Sequence, residues 1–482
     1  MRYNYIKILS TQVWKDTFQN RSTIYLVAMM FGLLLFGIVS GVKSYLFQQE
    51  TVKHYAHEVR ERWENSPDKH PHRMAHYGYV AFRNKYPLSF FDFGMESFTG
   101  NAIFLEAHKQ NTTNFSEASL SSSLLRFGEI SVAMVLQLLL PLLLFFWGFG
   151  LVATGRENGT LKILLVQGVS WSEIIVGKAF GLFKLAILIL APTLLISLGI
   201  LLFLDFETSK IDVFIRFLLI GLAYSIYFWI VSLIAVLVSA TSTHPKTALT
   251  TLIGAWLIFT LVLPKMALVL GQYLYPAPTK IAFDMAIEAE ILKQGDSHNP
   301  DDPHYKALKD SVLMAYKVDS VQKLPFNYGG FVMKEGERLS AETYDRHQAD
   351  LMKIYEKQQN VVRYFGLFNP YLALKNISMA LAGTDFATYS DFQHQAEKFR
   401  YALAQKMNEL QIKFISNNVK NSADKNAILS NKYWKELPDF QYQFIGLLAV
   451  LVQEYTSIIA LLLGILVISI FIKKYAHTFK VI

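Results

Sequence analysis

Long runs of apolar residues dominate the hydrophobic pattern of this chain. An α-helix rises about 1.5 Å per residue, so about 20 apolar residues cross the hydrocarbon core of a bilayer. Six runs approach or exceed that length: residues 24–42, 130–152, 179–204, 213–240, 248–264 and 455–472. The pattern therefore predicts an all-α integral membrane protein with six transmembrane helices.

Two long polar segments interrupt the apolar runs, and we call residues 47–129 the first polar segment and residues 265–443 the second polar segment. Both are predicted to fold as large, mainly helical extracytoplasmic domains. The remaining predicted parts are an interfacial elbow helix (1–21), a first span (22–46), spans two to five (130–264) with a cytoplasmic loop (155–178), and an exit helix, sixth span and cytoplasmic tail (444–482).

Lys and Arg residues set the predicted orientation, because cytoplasmic loops of membrane proteins carry an excess of them. Six crossings place both termini on one side. Basic residues cluster on that side, in the N-terminal segment, in the second connection and in the tail: Arg2, Lys7, Lys15, Arg21, Arg156, Lys162, Lys178, Lys473, Lys474 and Lys480. The short connection 205–212 is acidic instead. We therefore predict that both termini are cytoplasmic and both polar segments are extracytoplasmic.

The first twenty residues carry an amphipathic helical pattern. Apolar residues lie roughly opposite Lys7 and Lys15, and they are Tyr5, Ile6, Leu9 and Val13. Trp14, at the border of the two faces, is typical of a headgroup-level anchor. The pattern favours an interfacial helix over a frayed start of the first span, and both alternatives stay open.

Composition supports the membrane assignment and limits the chemistry. The chain has 482 residues, of which 52% are hydrophobic and 17% charged, and it has no cysteine. Disulfides, thiolate zinc sites and cysteine nucleophiles are therefore excluded. The net charge of +8 is explained by the basic cytoplasmic side, so nucleic acid is not an expected partner. G-x-S-x-G and H-E-x-x-H motifs do not occur, so no catalytic residue is predicted.

The predicted cytoplasmic loops are too short to fold as a nucleotide-binding domain. No G-x-x-x-x-G-K-[ST] phosphate-binding motif occurs in the sequence either. We therefore expect that this chain binds no cofactor itself, and that ATP and Mg²⁺, if used, belong to a partner chain.

The second connection contains the most specific motif, G-R-E-N-G-T-L-K-I-L-L from Gly155, followed by Gly177 and Lys178. Gly159 lets the chain turn, Thr160 can cap a short helix, and three leucines are predicted to present an apolar ridge, namely Leu161, Leu164 and Leu165. An ordinary helix hairpin with positive-inside charges is the alternative.

This motif resembles the E-x-G-T-L-x-x-L-L stretch and following G-K pair of ABC-2 type permeases. In that family the stretch forms the coupling helix that docks on the ATPase. The resemblance implies this role for Arg156, Glu157, Gly159, Thr160, Leu161, Leu164 and Lys178.

Further motifs in both polar segments resemble one subfamily of these permeases that is known only as a domain of unknown function. They include H-P-H-R-M-A-H-Y-G from His70, F-D-F-G from Phe91, and S-M-A-L-A-G-T-D from Ser378. Phe93 departs from the family habit of a proline, which puts the form of that turn in doubt. The motif residues carried over are His72, His76, Gly78, Asp92, Gly94, Glu106, His108, Pro370, Gly383, Thr384, Asp385, Glu397 and Arg400.

The resemblance implies a permease subunit of an ATP-driven ABC exporter, multi-pass in the bacterial inner membrane. Implied partners are ABC ATPase subunits, a second permease subunit in a homo- or heterodimer, membrane lipids, and periplasmic or outer-membrane accessory proteins. A membrane-bound enzyme with an extracytoplasmic metal site, and a non-transporting scaffold or sensor, are the alternatives from other classes.

The enzyme alternative depends on whether the histidines of the first polar segment bind a metal ion. His70, His72 and His76 are the candidate metal ligands, since imidazoles at short spacing suit zinc or copper. We nevertheless expect a structural cluster without metal, because the sequence offers no cysteine ligand and no obvious carboxylate to orient the imidazoles.

Two helices are predicted in the second polar segment. The first covers residues 342–365, and the second runs from Ser390 to about Ile415 with Ser390 and Gln393 as a capping box. Residues 444–452 fit either a separate short exit helix or the start of one tilted final helix.

Overall fold

The computed structural model describes residues 2–110, 130–295, 297, 299, 301–419 and 425–478. Within these residues six helices are long and apolar enough to cross a membrane: Arg21–Glu64, Val132–Glu157, Trp171–Phe203, Lys210–Thr241, Pro245–Leu274 and Tyr455–Ala476. We call them the first to sixth spans. The predicted all-α architecture with six transmembrane helices is confirmed.

The first span is longer than its apolar run. Its helix covers 44 residues, well past the predicted end near residue 46, and Trp63 in its last turn is buried. There the indole of Trp63 donates a hydrogen bond of 3.0 Å to the carbonyl oxygen of Trp434. The first span therefore continues as a helix into the polar part of the molecule, because its polar half packs against the second polar segment.

Prolines do not end the second and fifth spans. Pro141 has no N–H for the carbonyl of Gln137, and a π-helical turn precedes it at Val135–Leu139. The hydroxyl of Tyr227 donates to that carbonyl over 3.4 Å instead. Intruding side-chain donors therefore replace the backbone bonds that the prolines remove.

Pro264 follows a second π-helical turn, Ile258–Val262, and the helix then continues to Leu274. The prediction that the fifth span ends at Pro264 is therefore wrong. The side chain of Asn369 donates to the carbonyl of Phe259 over 2.7 Å, which satisfies the backbone at this turn.

The N-terminal helix, Tyr3–Gln19, is separate from the first span, which begins after the N-cap Asn20. It packs along the third span, where Gly177 and Gly181 leave room for Leu9 and Val13. A Cβ atom at Gly181 would lie only 2.7 Å from the Cβ of Val13. Small residues thus allow close helix contact, as is common between membrane helices.

The described part of the first polar segment is less helical than predicted. After the short helix Pro71–Ala75 the chain forms an antiparallel pair of strands, Tyr79–Phe82 and Ala102–Leu105, with Tyr79 opposite Leu105. A 3₁₀ turn, Pro87–Phe90, lies between the strands. Each strand has four residues, too few for an alternating pattern to stand out in the sequence.

The second polar segment is helical. Its α-helices are Lys280–Gln294, Pro303–Tyr316, Tyr328–Gly366, Pro370–Leu381, Phe386–Phe414 and Lys432–Lys435, with 3₁₀ turns at Val321–Lys323 and Lys425–Ala427. Both predicted helices therefore start too late. The true N-caps are Asn327, which accepts from the N–H of Gly330, and Asp385, which accepts from the N–H of Thr388. The predicted capping box at Ser390 and Gln393 is wrong, since both residues lie inside the helix.

Two hydrophobic cores hold the chain together. The first joins the spans to the helix Pro370–Leu381, which we call the bridging helix. The second joins the two polar segments, and its large members are Trp63, Met74, Tyr79, Ile103, Phe392, Met407 and Trp434. The two polar segments therefore form one packed unit.

The chain between the second polar segment and the sixth span contains a short separate helix, Leu447–Gln453. It ends at Glu454, and a second helix, Tyr455–Thr478, begins directly afterwards. Of the two alternatives for this region, the structure therefore has the separate helix.

Candidate functional site

The connection between the second and third spans is a compact helical hairpin. The second span ends with Ala153–Glu157, and a short helix, Thr160–Val166, follows. Gly159 joins them with φ 80°, a left-handed conformation that glycine adopts without a Cβ penalty. The side chain of Asn158 accepts from the N–H of Thr160 over 3.1 Å and from its hydroxyl over 2.7 Å. The N-cap position is Gly159 and Thr160 is the first helical residue, so the prediction that Thr160 caps this helix is wrong.

The exposed face of the short helix differs from the predicted ridge. Leu161 is buried at 5% exposure, and Leu164 and Leu165 are half-buried against the spans. Ile163 and Val166 point outward instead, with exposures of 58% and 80%. Three residues apart, they lie on one side of the helix. The leucines anchor the hairpin, and Ile163 and Val166 form its exposed apolar surface.

Two of the proposed coupling residues point into the protein. Arg156 donates to the carbonyl oxygens of Ala240, over 2.6 Å, and Ser242, and to the hydroxyl of Tyr475 over 3.3 Å. Lys178 donates to the carbonyl oxygen of Leu151. Arg156 therefore ties the hairpin to the ends of the fourth and sixth spans. Glu157 and Lys162 of the hairpin are exposed.

Arg2 and Glu173 hold the other end of the hairpin, a pairing that no sequence pattern indicates. Glu173 and Ser170 form a capping box at the start of the third span. The guanidinium of Arg2 forms an ion pair of 2.9 Å with Glu173 and also donates to the carbonyl of Gly168. These bonds connect the N-terminal helix to the hairpin.

At the opposite end of the spans, Asp92 and the bridging helix form a buried junction. The carboxylate of Asp92 accepts from the N–H of Gly94 over 3.0 Å and from the hydroxyl of Ser378. Gly94 has φ 49° and lies directly on Thr384, where a Cβ atom would come within 2.3 Å of the hydroxyl oxygen. The N–H of Met95 donates to the carbonyl of Thr384 over 2.8 Å. Asp92, Gly94 and Thr384 are thus neighbours in space.

The adjoining motif residues shape the turn after the bridging helix. Pro370 begins that helix, behind the N-cap Asn369. Gly383 ends it with φ 65° and packs against Tyr86. Asp385 caps the next helix and accepts a hydrogen bond of 3.0 Å from Gln453. These motif residues therefore have structural roles at one junction.

The remaining motif residues include three histidines that lie together. The Nε2 atoms of His72 and His76 are 3.3 Å apart, and the ring of His108 lies 5.4 Å and 5.2 Å from the rings of His72 and His76. We call these three residues the histidine cluster. His70 is not a member, because its Nδ1 accepts from the N–H of His72 over 3.2 Å and caps the short helix. Gly78, with φ 82°, packs against Phe104 nearby.

A buried charge network supports the cluster from the second polar segment. Nδ1 of His108 lies 2.9 Å from the carboxylate of Glu337, which is also 2.7 Å from the guanidinium of Arg400. Arg400 further pairs with Glu397 over 2.8 Å and donates to the carbonyl of Glu106 over 3.3 Å. Burial opposes ionisation of Glu337, but His108 and Arg400 outweigh it and lower its pKa to about 2. Glu337 is not among the predicted site residues. It is a carboxylate that can orient an imidazole of the cluster, which the sequence analysis does not find.

Comparison with known families agrees with this architecture. Residues 12–314 match the family described as ABC-2 family transporter protein, and residues 280–443 match a domain of unknown function, DUF3526. No curated protein matches the chain. The first match covers more than half of the sequence and includes the spans from the first to the fifth and the hairpin. The chain therefore belongs to the ABC-2 family of transporter proteins, in which it has the role of a membrane-spanning permease.

Proposed function

We propose that this chain is the permease subunit of an ABC exporter, driven by ATPase subunits that dock on the hairpin between the second and third spans. ATP and Mg²⁺ bind in those partner subunits. Two permease subunits, identical or different, form the pathway within the lipid bilayer of a bacterial inner membrane. The hairpin and both termini face the cytoplasm, and the two polar segments face outward, where periplasmic or outer-membrane accessory proteins can reach them.

The observation that carries this proposal is the exposed apolar surface of the hairpin. Ile163 and Val166 project from a helix whose leucines are already packed. The same hairpin exposes the charged side chains of Glu157 and Lys162. Protein interfaces commonly combine an apolar centre with a polar rim. Burying each of these two side chains in a partner would contribute about 1.5–3 kcal/mol.

The attachments of the hairpin support a mechanical role. Arg156 bonds to the end of the fourth span and to Tyr475 of the sixth, while Lys178 bonds to the end of the second. Arg2 and Glu173 connect the N-terminal helix. A displacement of the docked hairpin would therefore reach the second, third, fourth and sixth spans together, as an exporter driven by ATP hydrolysis requires.

The test is purification of the full chain in mild detergent from its native membrane, with identification of co-eluting subunits. We expect an ATPase subunit to co-elute with the wild-type chain. The double variant Ile163→Asp with Val166→Asp should lose that subunit, because two charges would enter the apolar interface. Gln12→Asp, which adds a charge to the exposed face of the N-terminal helix, is the matched control and should retain it.

Two results would contradict the proposal. If no ATP-hydrolysing subunit co-elutes with the wild-type chain, ATP-driven export by this protein loses its support. If the double variant retains the subunit in wild-type amount, the ATPase docks elsewhere and the hairpin does not couple the two.

A further inference from the structure

We propose that His72, His76 and His108 form a binding site for one late first-row transition-metal ion, Zn²⁺ or Cu²⁺. The ligand atoms that the three imidazoles offer all lie within 4.8 Å of one another. His72 and His76 come from one turn of helix and its C-cap, four residues apart, and His108 comes from the loop that follows the second strand. This site is separate from the hairpin and does not depend on its role.

The distance between His72 and His76 fits metal coordination. Two nitrogens at about 2.0–2.1 Å from a tetrahedral zinc ion are about 3.4 Å from each other. The Nε2 atoms of His72 and His76 are 3.3 Å apart. His76 is exposed and the other two imidazoles are half-buried, so an ion can reach the cluster from solvent.

The orientation of His108 is the second observation. Its Nδ1 pairs with the buried carboxylate of Glu337 at 2.9 Å, so Nε2 is the nitrogen that it would offer to an ion. A carboxylate behind a ligating imidazole is the usual arrangement at zinc sites, because it fixes the ring and raises its basicity. Arg400 holds Glu337 in turn at 2.7 Å.

The backbone of His108 is the third observation. Its φ is 62°, and among the described residues other than glycine only Lys317 also has a positive φ. Such conformations are sparsely populated and persist where the surrounding structure imposes them, often at ligand sites. The imidazole of His108 lies beside those of His72 and His76.

The three imidazole ligands determine which class of metal ion the site prefers. Imidazole nitrogens suit Zn²⁺ and Cu²⁺, whereas Mg²⁺ and Ca²⁺ prefer oxygen ligands. Three protein ligands leave a fourth position for water. Through Glu337 and Arg400 the ion would fix the first polar segment against two long helices of the second, Tyr328–Gly366 and Phe386–Phe414.

The experiment uses the full chain, purified in detergent with an affinity tag that contains no histidine. The protein is stripped with a chelator, incubated with ZnCl₂ or CuCl₂, freed of unbound metal, and analysed for bound metal and for Tm. We expect one ion per wild-type chain, with a rise in Tm on metal addition. MgCl₂ should give neither effect.

His76→Ala is the first variant, because His76 is exposed and we expect its removal to leave the fold intact. It should lose the bound ion and the metal-dependent rise in Tm, and His108→Ala should do the same. The double variant His54→Ala with His57→Ala removes two exposed imidazoles from the first span and is the matched control, which should bind like the wild type. Equal metal content in the wild type, His76→Ala and His108→Ala, or none in the wild type, would overturn the proposal.

Discussion

The hydroxyl of Ser378 donates a hydrogen bond to the buried carboxylate of Asp92, and this bond joins the first polar segment to the bridging helix. Ser378 also lies 3.1 Å from the hydroxyl of Tyr224 on the fourth span, which accepts from Gln137 of the second span over 2.7 Å. A polar chain thus runs from the junction into the bundle. An interhelical hydrogen bond accounts for the single glutamine deep in the second span.

The first prediction concerns the pH dependence of this junction. Burial raises the pKa of Asp92 above its ordinary value of 3.8, although Ser378, Gly94 and Lys375 act against the shift. The folded state therefore holds the proton more tightly than the unfolded state. Stability should fall as the pH rises from about 4 through the raised pKa, and Asp92→Asn should remove that part of the slope.

Thermal unfolding of both proteins across this pH range measures the effect. Asp284→Asn, at an exposed position of the second polar segment, is the control and should keep the wild-type slope. If stability changed with pH as steeply in Asp92→Asn as in the wild type, ionisation of Asp92 would not affect folding.

The second prediction concerns Glu337. Glu337→Gln removes the charge that pairs with the buried Arg400 and should cost about 3–5 kcal/mol of stability at neutral pH, as expected when one member of a buried ion pair is removed. Because the folded-state pKa is lowered from 4.5 to about 2, the stability from ionised Glu337 is present above 4.5 and lost as the pH falls toward 2. The gap between wild type and variant should shrink over that range.

Unfolding in the presence of a chelator isolates this effect from any metal. Glu335→Gln, two residues away, breaks an ion pair with the partly exposed Arg338 and should cost less than about 1 kcal/mol. Equal losses of stability in the two variants would show that the buried ion pairs of Glu337 contribute no more than an exposed ion pair.

The third prediction concerns topology. The chain has no cysteine, so single substitutions can be labelled without background. His394→Cys and Lys210→Cys should react with membrane-impermeant reagents from outside, whereas Lys162→Cys and Lys246→Cys should react only after the membrane is opened. His394 and Lys162 are both exposed, so accessibility within the protein does not favour either one. Labelling of His394→Cys from the cytoplasm alone would exclude the proposed orientation.

The fourth prediction concerns the contact of the N-terminal helix with the third span. Gly181→Val places side-chain atoms against the Cβ of Val13 and within 2.9 Å of the carbonyl of Ser10, so the helix must move away. We expect faster tryptic cleavage at Lys7 and Lys15. Gly199→Val lies in the same span with no atom within 4 Å of the added Cβ and should be cleaved like the wild type. Similar cleavage in both variants would argue against tight packing of this helix.

Some of this architecture is encoded locally and some is not. The spans follow from apolar runs, because crossing a bilayer requires consecutive apolar residues. The turn at Gly159 also follows from a local pattern. The exposed face of the next helix does not, because five of its seven residues, Thr160–Val166, are apolar and any face would look apolar.

The histidine cluster shows the other limit of sequence analysis. His72 and His76 are neighbours along the chain, but His108 joins them only through the strand pair. Glu337 reaches His108 from 229 residues away. Contacts between residues so far apart in the chain produce no recognisable spacing in a single sequence. The sequence therefore indicates His70 as a candidate ligand and does not indicate Glu337.

The last prediction concerns the turn of the hairpin. Gly159 has φ 80°, and no atom lies within 4 Å of a Cβ added there. Gly159→Val therefore causes no collision. The valine would instead have to adopt the left-handed backbone conformation, which is about 1–2 kcal/mol less favourable for a residue with a side chain. That strain acts on the link between the second span and the short helix Thr160–Val166. We expect the variant to insert and fold, with a sharp loss of cargo-stimulated ATP hydrolysis in the reconstituted complex.

Gly199→Ala is the control, because it adds a Cβ in open space at a helical position far along the third span from the hairpin. It should hydrolyse ATP like the wild type. Glu157→Ala tests the same hairpin from its exposed charged side, since Glu157 contacts only His244, at 3.5 Å, among the ion pairs of the described residues. It should also weaken coupling by removing a carboxylate available to a basic residue of the ATPase. If hydrolysis still responds to cargo after both hairpin changes, the movement of the ATPase must enter the spans by another route.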